Sequence, residues 1–305
     1  MQASAREIAA TIETSGAPTV AQLQAKYGLS YHVPYAFEAE KAVGLRGRRV
    51  LEVGGSLPRG FVFDELGASQ WVGIEEMDYW ENLPVDGGGT RPEVRPQTRL
   101  KEIREVDGFS AYEVLRGGVE DLPAVMEGMF DVVFSVAAFE HILNFPLALD
   151  RMFAALKPGG KLFTMFSPIW SAYDGHHLPR ITAADGQVFS FAKSPIPPWG
   201  HLLLRPAQLM RQLEKSTDRL TAGKIVYYVF HSPHINRLFA EDYADYIRAS
   251  RFHVETLSAT FTISAPSEVL AELTRLHPNR THFANNGLMA VLSRPAHPVD
   301  APSRA

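Results

Sequence analysis

The stretch Arg49-Val50-Leu51-Glu52-Val53-Gly54-Gly55-Ser56 leaves few folds open to the chain around it. Val50, Leu51 and Val53 suit a strand buried on both faces, and the glycines that end it let the backbone come close to a ligand where a Cβ would clash. Leu57-Pro58-Arg59-Gly60-Phe61 follows with a proline placed for the first turn of a helix, whose N–H groups would point back at whatever binds. Strand, glycine turn and helix together predict a cofactor loop. A two-glycine turn by itself also fits an ordinary tight strand-to-helix connection, so the neighbouring segments must decide.

They repeat the same unit. Phe61 to Leu66 continues the helix, and Gln70 to Ile74 forms a second apolar strand that ends in Glu75-Glu76. An acid at the end of the second strand, about 20 residues past the glycine turn, is placed to accept the hydroxyl hydrogens of a ribose. Ala111 to Leu115 reads as a third strand, and Gly117-Gly118-Val119-Glu120-Asp121-Leu122-Pro123 as a turn whose acids could accept an adenine amino group. Phe130 to Val136 is the clearest buried strand. Leu147 to Leu156 has helical spacing, Lys157-Pro158-Gly159-Gly160 stops it, and Lys161 to Phe166 is the next strand. Alternating strands and helices with short connections predict an α/β fold, a doubly wound and mostly parallel sheet covered on both faces.

Composition removes several classes of function. A chain of 305 residues with 46% hydrophobic content can bury one large core or a core with a cap, and a net charge of −4 gives no basic surface for general nucleic-acid binding. Without cysteine there is no disulfide, thiolate metal site or cysteine nucleophile. No apolar run reaches the roughly 18 residues of a membrane span, and Met1 to Glu7 lacks the basic-then-apolar order of a signal peptide. A cytoplasmic protein with neither membrane nor nucleic-acid partner is expected, and a homodimer is compatible with the sequence. Ala5 to Thr14 and Thr19 to Tyr27 read as two short helices. The second superficially resembles half of a DNA-binding helix-turn-helix, but Tyr31-His32-Val33-Pro34-Tyr35 supplies no basic recognition helix. A packing or lid role is the better expectation.

With its segments in this order, the chain resembles the class I S-adenosylmethionine-dependent methyltransferases over about residues 48 to 166. Val50 to Gly55 is similar to the family's first motif, Gly73-Ile74-Glu75 to its ribose-binding acid, and Val119 to Pro123 to its adenine-side turn. Phe130 to Ser135 with Phe139-Glu140-His141 is similar to its fourth strand and following turn, and Leu156 to Gly160 to the approach to its fifth. The resemblance implies a Rossmann-like sheet of seven strands with an antiparallel last strand, and S-adenosyl-L-methionine as methyl donor. It implies a cofactor site from Glu52, Gly54, Gly55, Ser56, Glu75, Val119, Glu120, Asp121, Ser135, Val136 and His141. Glu52, Gly54 and Gly55 are expected at the methionine end. Gly54-Gly55-Ser56 stands where the family usually has Gly-x-Gly, and the Ser56 hydroxyl could donate to the cofactor's carboxylate.

The substrate should be decided after Phe166. Pro168 to Pro206 is too long for a simple crossover and reads as a cap. Asp174-Gly175-His176-His177-Leu178-Pro179 and Pro198-Trp199-Gly200-His201-Leu202 place three histidines beside the expected methyl group. A small-molecule hydroxyl acceptor would need a base, and histidine titrates near neutrality, so His177, His201 and His176 are the candidate catalytic residues. The same rings could equally hydrogen-bond inside a folded cap. Asp174, these histidines and His231-Ser232-Pro233-His234 could also hold a metal, although none is predicted.

Further on, Arg205 to Glu214, Ala240 to Ser250 and Pro266 to Leu276 read as helices. Lys224 to Phe230 reads as an extra strand, Phe252 to Leu257 as the sixth strand, and Gly287 to Leu292 as the closing one. The expected organisation is an N-terminal helical lid over residues 1–45, a catalytic domain over 46–294 with a cap insertion at 167–235, and a disordered tail over 295–305. The function expected is methyl transfer to a small-molecule acceptor, with oxygen favoured. The rivals are other S-adenosylmethionine chemistry on the same fold, such as cyclisation or decarboxylation, a non-catalytic S-adenosylmethionine-binding regulator, and a nicotinamide-dependent reductase.

Overall fold

A computed structural model describes residues 18–76 and 100–296. The helix expected at Ala5 to Thr14 and the tail beyond residue 296 lie outside the described residues. Eight strands form one sheet: β1 (Arg49–Val53), β2 (Gln70–Glu75), β3 (Lys101–Glu102), β4 (Tyr112–Arg116), β5 (Phe130–Val136), β6 (Leu156–Phe166), β9 (His253–Thr262) and β10 (Asn285–Ser293). Two more strands, β7 (Ile181–Thr182) and β8 (Val188–Phe189), make a small hairpin of their own. The order across the large sheet is β3-β4-β2-β1-β5-β6-β10-β9. Every pairing from β3 to β6 is parallel, and β10 runs antiparallel to both of its neighbours. This is the expected α/β architecture, with the two-residue β3 added at one edge.

The period-two alternation of the strands divides the core between the two faces of the sheet. Leu51 and Val53 of β1, with Val133 of β5, face the layer that holds Phe145, Leu149 and Tyr243. Val50 joins Trp71 and Phe134 on the other face, beneath Leu23, Val33 and Ala36 of the N-terminal helices. Those helices are α1 (Val20–Tyr27) and α2 (His32–Val43). Thr19 starts α1 with a capping box closed by Gln22, and Gly28 ends it in the left-handed region. The second helix begins at the aromatic segment that sequence alone left without one. It buries Val33, Ala36 and Ala39 against the sheet, which is a packing role.

The helix expected after the glycine turn shrinks to one wide turn over Phe61–Glu65. Phe61, Val62 and Leu66 still anchor it in the core. The helix α3 (Phe145–Ala155) starts at Asn144, whose side chain accepts from Leu147 N–H, and carries Pro146 in its first turn. The remaining helices are α4 (Gly200–Leu203), α5 (Pro206–Leu213), α6 (Arg219–Phe230), α7 (Ala240–Ala249) and α8 (Ser267–Leu276). The strand expected at Lys224 to Phe230 is the second half of α6. Asp218 caps that helix, and Ala222, Ile225 and Val229 recur at helical spacing on its buried side, a period that outweighs the β propensity of Val and Tyr.

Between Phe166 and α7 the chain builds a third hydrophobic cluster of its own, with Trp170, Leu178, Phe189 and Trp199 packed on Leu209, Ile225 and Phe283. This cap sits over the carboxyl ends of the parallel strands, where ligands bind in open α/β sheets.

Arg294, just past β10, closes the end of α3. Its guanidinium donates to the carbonyls of Phe153, Ala154 and Leu156 at 3.2, 3.1 and 2.6 Å and lies over the Phe153 ring. Arg294→Met should remove all three bonds, with the Ala154 carbonyl keeping Gly128 N–H at 2.8 Å, and cost about 1–3 kcal/mol. Urea unfolding would measure the loss, and an unchanged midpoint would show that the clasp contributes nothing.

Candidate active site

The glycine loop is fastened at both ends before any ligand arrives. Gly54 and Gly55 both donate their N–H to the Ile74 carbonyl, at 3.0 and 3.3 Å. The buried Glu52 carboxylate accepts from Leu57 N–H at 2.9 Å and from Trp71 Nε1 at 2.6 Å, and Tyr112 donates its hydroxyl to the Leu57 carbonyl at 2.8 Å. Gly54 has φ of 77°, and a Cβ there would collide with the Ala138 side chain. Gly73 is needed for a related reason, since a Cβ on it would lie 2.8 Å from the Gly55 carbonyl as the loop crosses β2. Gly54 alone therefore carries the left-handed turn. Ser56 sits outside that region, and its hydroxyl is buried without a hydrogen-bond partner.

Beyond the loop, a cavity of about 430 Å³ runs along the carboxyl edge of the sheet. Glu52, Gly54, Gly55, Ser56, Glu75, Val119, Glu120, Val136 and His141, all expected at the cofactor, line it. Glu75 ends β2 with only 2% of its surface exposed. Two expected residues do not reach it. Ser135 points to the opposite side of β5 from Val136 and spends its hydroxyl on the Val53 carbonyl at 2.9 Å. Asp121 turns outward to an ion pair with Arg104 at 2.7 Å.

The three cap histidines separate in the same way. His177 lines the cavity. Its Nε2 donates to the Pro168 carbonyl at 2.6 Å, which leaves Nδ1 as the unprotonated nitrogen, and its backbone takes φ of 44°. His176 and His201 do not line the cavity and are packed into the cap. The His176 ring accepts from Leu178 N–H and bonds Ser194, while His201 Nε2 donates to the Trp170 carbonyl at 2.8 Å. For these two the structural reading holds, because the cap needs partners for its own backbone. The candidate metal constellation does not assemble either: among the described residues no three His, Asp or Glu side chains converge as ligands.

Two cavity groups escaped the sequence reading. His32, at the start of α2, stacks on Tyr31 with ring centroids 4.1 Å apart and has a buried Nδ1 with no partner. Glu140, read only as part of a family turn, lines the cavity with 3% exposure. Burial pushes its carboxyl up to about 8. The short turn that carries Glu140, Phe139–His141, is clamped by Asn236. Its backbone N–H donates to the Glu140 carbonyl at 2.9 Å, and its side chain donates to the carbonyls of Phe139 and Ile142 at 2.7 and 3.0 Å. Tyr243 in turn holds the Asn236 amide oxygen at 2.8 Å. Nothing in the sequence around Asn236 signals this, because the partners lie more than 90 positions away.

Burial keeps a set of rings neutral. It pulls His141, His201 and His234 down to about 4 and His176 to about 3, and it holds His177 well below its usual value. Each folded pKa lies below the unfolded value near 6.5, so the unfolded chain binds the extra protons and stability falls as pH drops from about 6.5 towards 4. Glu52 and Glu140, raised to about 7 and about 8 by burial, act the other way as pH climbs from about 4.5 through those values. The thermal midpoint should therefore rise between pH 4 and about 6.5 and then stop rising. His201→Gln should flatten part of that rise, and a scan in which it left the slope intact would contradict the assignment.

The methyltransferase-domain family model matches residues 92–164, a segment that takes in β3, β4, β5 and most of β6. No curated protein matches the chain. Among solved structures, an S-adenosylmethionine-dependent methyltransferase from Mesorhizobium loti is 16% identical, with 87% of this chain and 98% of that one covered and a TM-score of 0.43. A methyltransferase structure from Listeria monocytogenes is 12% identical over 86% and 99% at 0.43. The 1,6-didemethyltoxoflavin-N1-methyltransferase of Burkholderia thailandensis, solved with its substrate and S-adenosylhomocysteine, is 13% identical over 97% and 92% at 0.39. None of these likenesses bears on which molecule this chain acts upon. On the family match the chain carries a methyltransferase domain, and its strand order brings the glycine loop, the Glu75 strand end and the Val119 turn to one cavity.

Proposed function

We propose that the protein methylates a hydroxyl oxygen of a small molecule held between the cofactor loop and the cap, and that His177 receives the hydroxyl proton. The observation that carries this is the position of His177: of the three cap histidines expected at the methyl group it is the one in the cavity wall, with its tautomer set by the Pro168 carbonyl. The residues suit the donor. Glu75 at the β2 end would take the ribose, the Val119–Glu120 turn would flank the adenine, and the Gly54 loop would face the methionine portion.

S-adenosylmethionine supplies, when bound, a methyl group on a positively charged sulfur. The chain's own work is to hold the acceptor in line, exclude water and take up one proton. A hydroxyl oxygen becomes strongly acidic once it has bonded to carbon, so a weak base suffices. An imidazole kept unprotonated by burial is available at neutral pH. Tyr31, His32 and Tyr35 of the N-terminal segment and Phe191 of the cap complete the walls of the cavity. This supports a lid role for the described part of residues 1–45 and a substrate role for the insertion at 167–235. A partly enclosed cavity of this size suits a small molecule.

Incubation with S-adenosylmethionine and a panel of phenols and alcohols should yield S-adenosylhomocysteine and an O-methyl product. His177→Gln should lower turnover by about 10²–10⁴-fold while calorimetric affinity for S-adenosylhomocysteine stays put. Full turnover in that variant would remove His177 from the reaction. Gly54→Val should abolish S-adenosylhomocysteine binding, since the new side chain meets Ala138 in a left-handed backbone. Unchanged affinity there would detach the glycine loop from the cofactor.

A further inference from the structure

We propose that His32 and Ser56 together bind the carboxylate at the amino-acid end of S-adenosylmethionine, His32 from the N-terminal helices and Ser56 from the glycine loop. This rests on the cofactor named in the methyl-transfer reading and assigns two of its contacts.

The loop has little else to offer a carboxylate. The N–H groups of Gly54 and Gly55 are spent on the Ile74 carbonyl, that of Leu57 is spent on Glu52, and Pro58 has none. Between Gly54 and Pro58 only Ser56 keeps donors to give. Ser56 lines the cavity, and its Oγ is buried without a hydrogen-bond partner. A hydroxyl in that state has lost its water without a replacement, which costs stability and points to a partner that arrives with a ligand.

A second orphan stands on a different element. His32 also lines the cavity, and its Nδ1 is buried with no partner. Burial keeps the ring neutral by pulling it down to about 4, and the stack on Tyr31 holds its plane. With no partner on Nδ1, the neutral ring can carry its proton there and donate it. Packing brings the two groups to one side of the cavity. Tyr27, at the end of α1, meets Phe61 with ring centroids 5.4 Å apart, and Val33 beside His32 shares a core cluster with Leu57 and Phe61. The N-terminal helices thus rest on the descending limb of the glycine loop, and His32 faces the cavity from there.

Neutral donors can hold a carboxylate well, since a hydrogen bond to a charged oxygen is shorter and roughly twice as strong as one between neutral groups. A turn about one side-chain bond is enough to aim each group at the cavity its residue lines. The Ser56 hydroxyl then donates to one carboxylate oxygen and His32 Nδ1–H to the other. The N-terminal helices would hold the cofactor itself as well as close over the acceptor.

Calorimetry on the full chain compares S-adenosylhomocysteine with methylthioadenosine, which keeps the adenosine and the sulfur and lacks the amino-acid end. Ser56→Ala, and His32→Phe with a ring still able to stack on Tyr31, should each weaken S-adenosylhomocysteine about tenfold or more and leave methylthioadenosine within about twofold of wild type. His32→Asn, whose amide N–H stands close to the place of Nδ1, should recover most of the affinity. The empty Ser56→Ala chain should melt no lower than wild type, because an unpaired hydroxyl supports nothing. Unchanged affinity for S-adenosylhomocysteine in Ser56→Ala or His32→Phe, an equal loss for methylthioadenosine, His32→Asn as weak as His32→Phe, or a lower midpoint of empty Ser56→Ala would each overturn the proposal. So would a wild type that binds S-adenosylhomocysteine and not methylthioadenosine, since the adenosine half should hold by its own contacts. Failure of the wild-type chain to bind S-adenosylhomocysteine would instead sink the methyl-transfer reading beneath it.

Discussion

The contact of the Glu52 carboxylate with Trp71 Nε1 and Leu57 N–H is the constraint on which the site depends. It joins β1, β2 and the descending limb of the glycine loop in the core layer beneath the N-terminal helices. An acid buried there would be costly alone, and two donors are what make it tolerable. Its packing also explains the paired glycines, because a Cβ on Gly55 would lie 2.5 Å from Glu52 Oε1. The loop is thus shaped from below by a side chain that belongs to the strand. Glu52 shapes the cavity wall through the loop it holds.

The cap works by a parallel device. Its histidines serve chiefly as partners for its backbone, with His176, His201 and His234 binding Leu178, Trp170 and His177 in turn. A segment with little regular structure must satisfy its peptide groups with side chains, and imidazole can do so from either nitrogen. The rings stay neutral, which spares the cap a buried charge. His141 and His177 lie edge to face at 5.2 Å where this network reaches the cavity.

Much of the sheet could be read from residues, because its buried strands announce themselves as apolar runs. Phe130 to Val136 and the Glu75 end of β2 came through with their boundaries. The glycine turn at the end of β1 was legible in the residues, but the helix after it was not, since its packing through Phe61 and Leu66 needs only one turn. The site was harder. Histidine, the residue whose chemistry draws attention, was overvalued at His176 and His201. Glu140 and Asn236 were passed over because what distinguishes them is an unpaired oxygen and three distant carbonyls. Period and motif register what a residue is, and these two matter for where the chain brings them. The Lys224 to Phe230 segment fails for the opposite reason: its residues favour strand locally, and the cap cluster imposes a helix.

The placement of β10 between β6 and β9 has a consequence for how the protein comes into being. The strand that fills this slot leaves the ribosome after both of the strands it joins. Until Asn285–Ser293 emerge, β6 and β9 have no partner between them, and the backbone groups along that edge of β6 stand open for the whole synthesis of the cap. An open apolar edge is a template for pairing with other chains. Without Asn285–Ser293 both flanking strands would keep that edge open, and the folded sheet would offer it to any neighbouring chain.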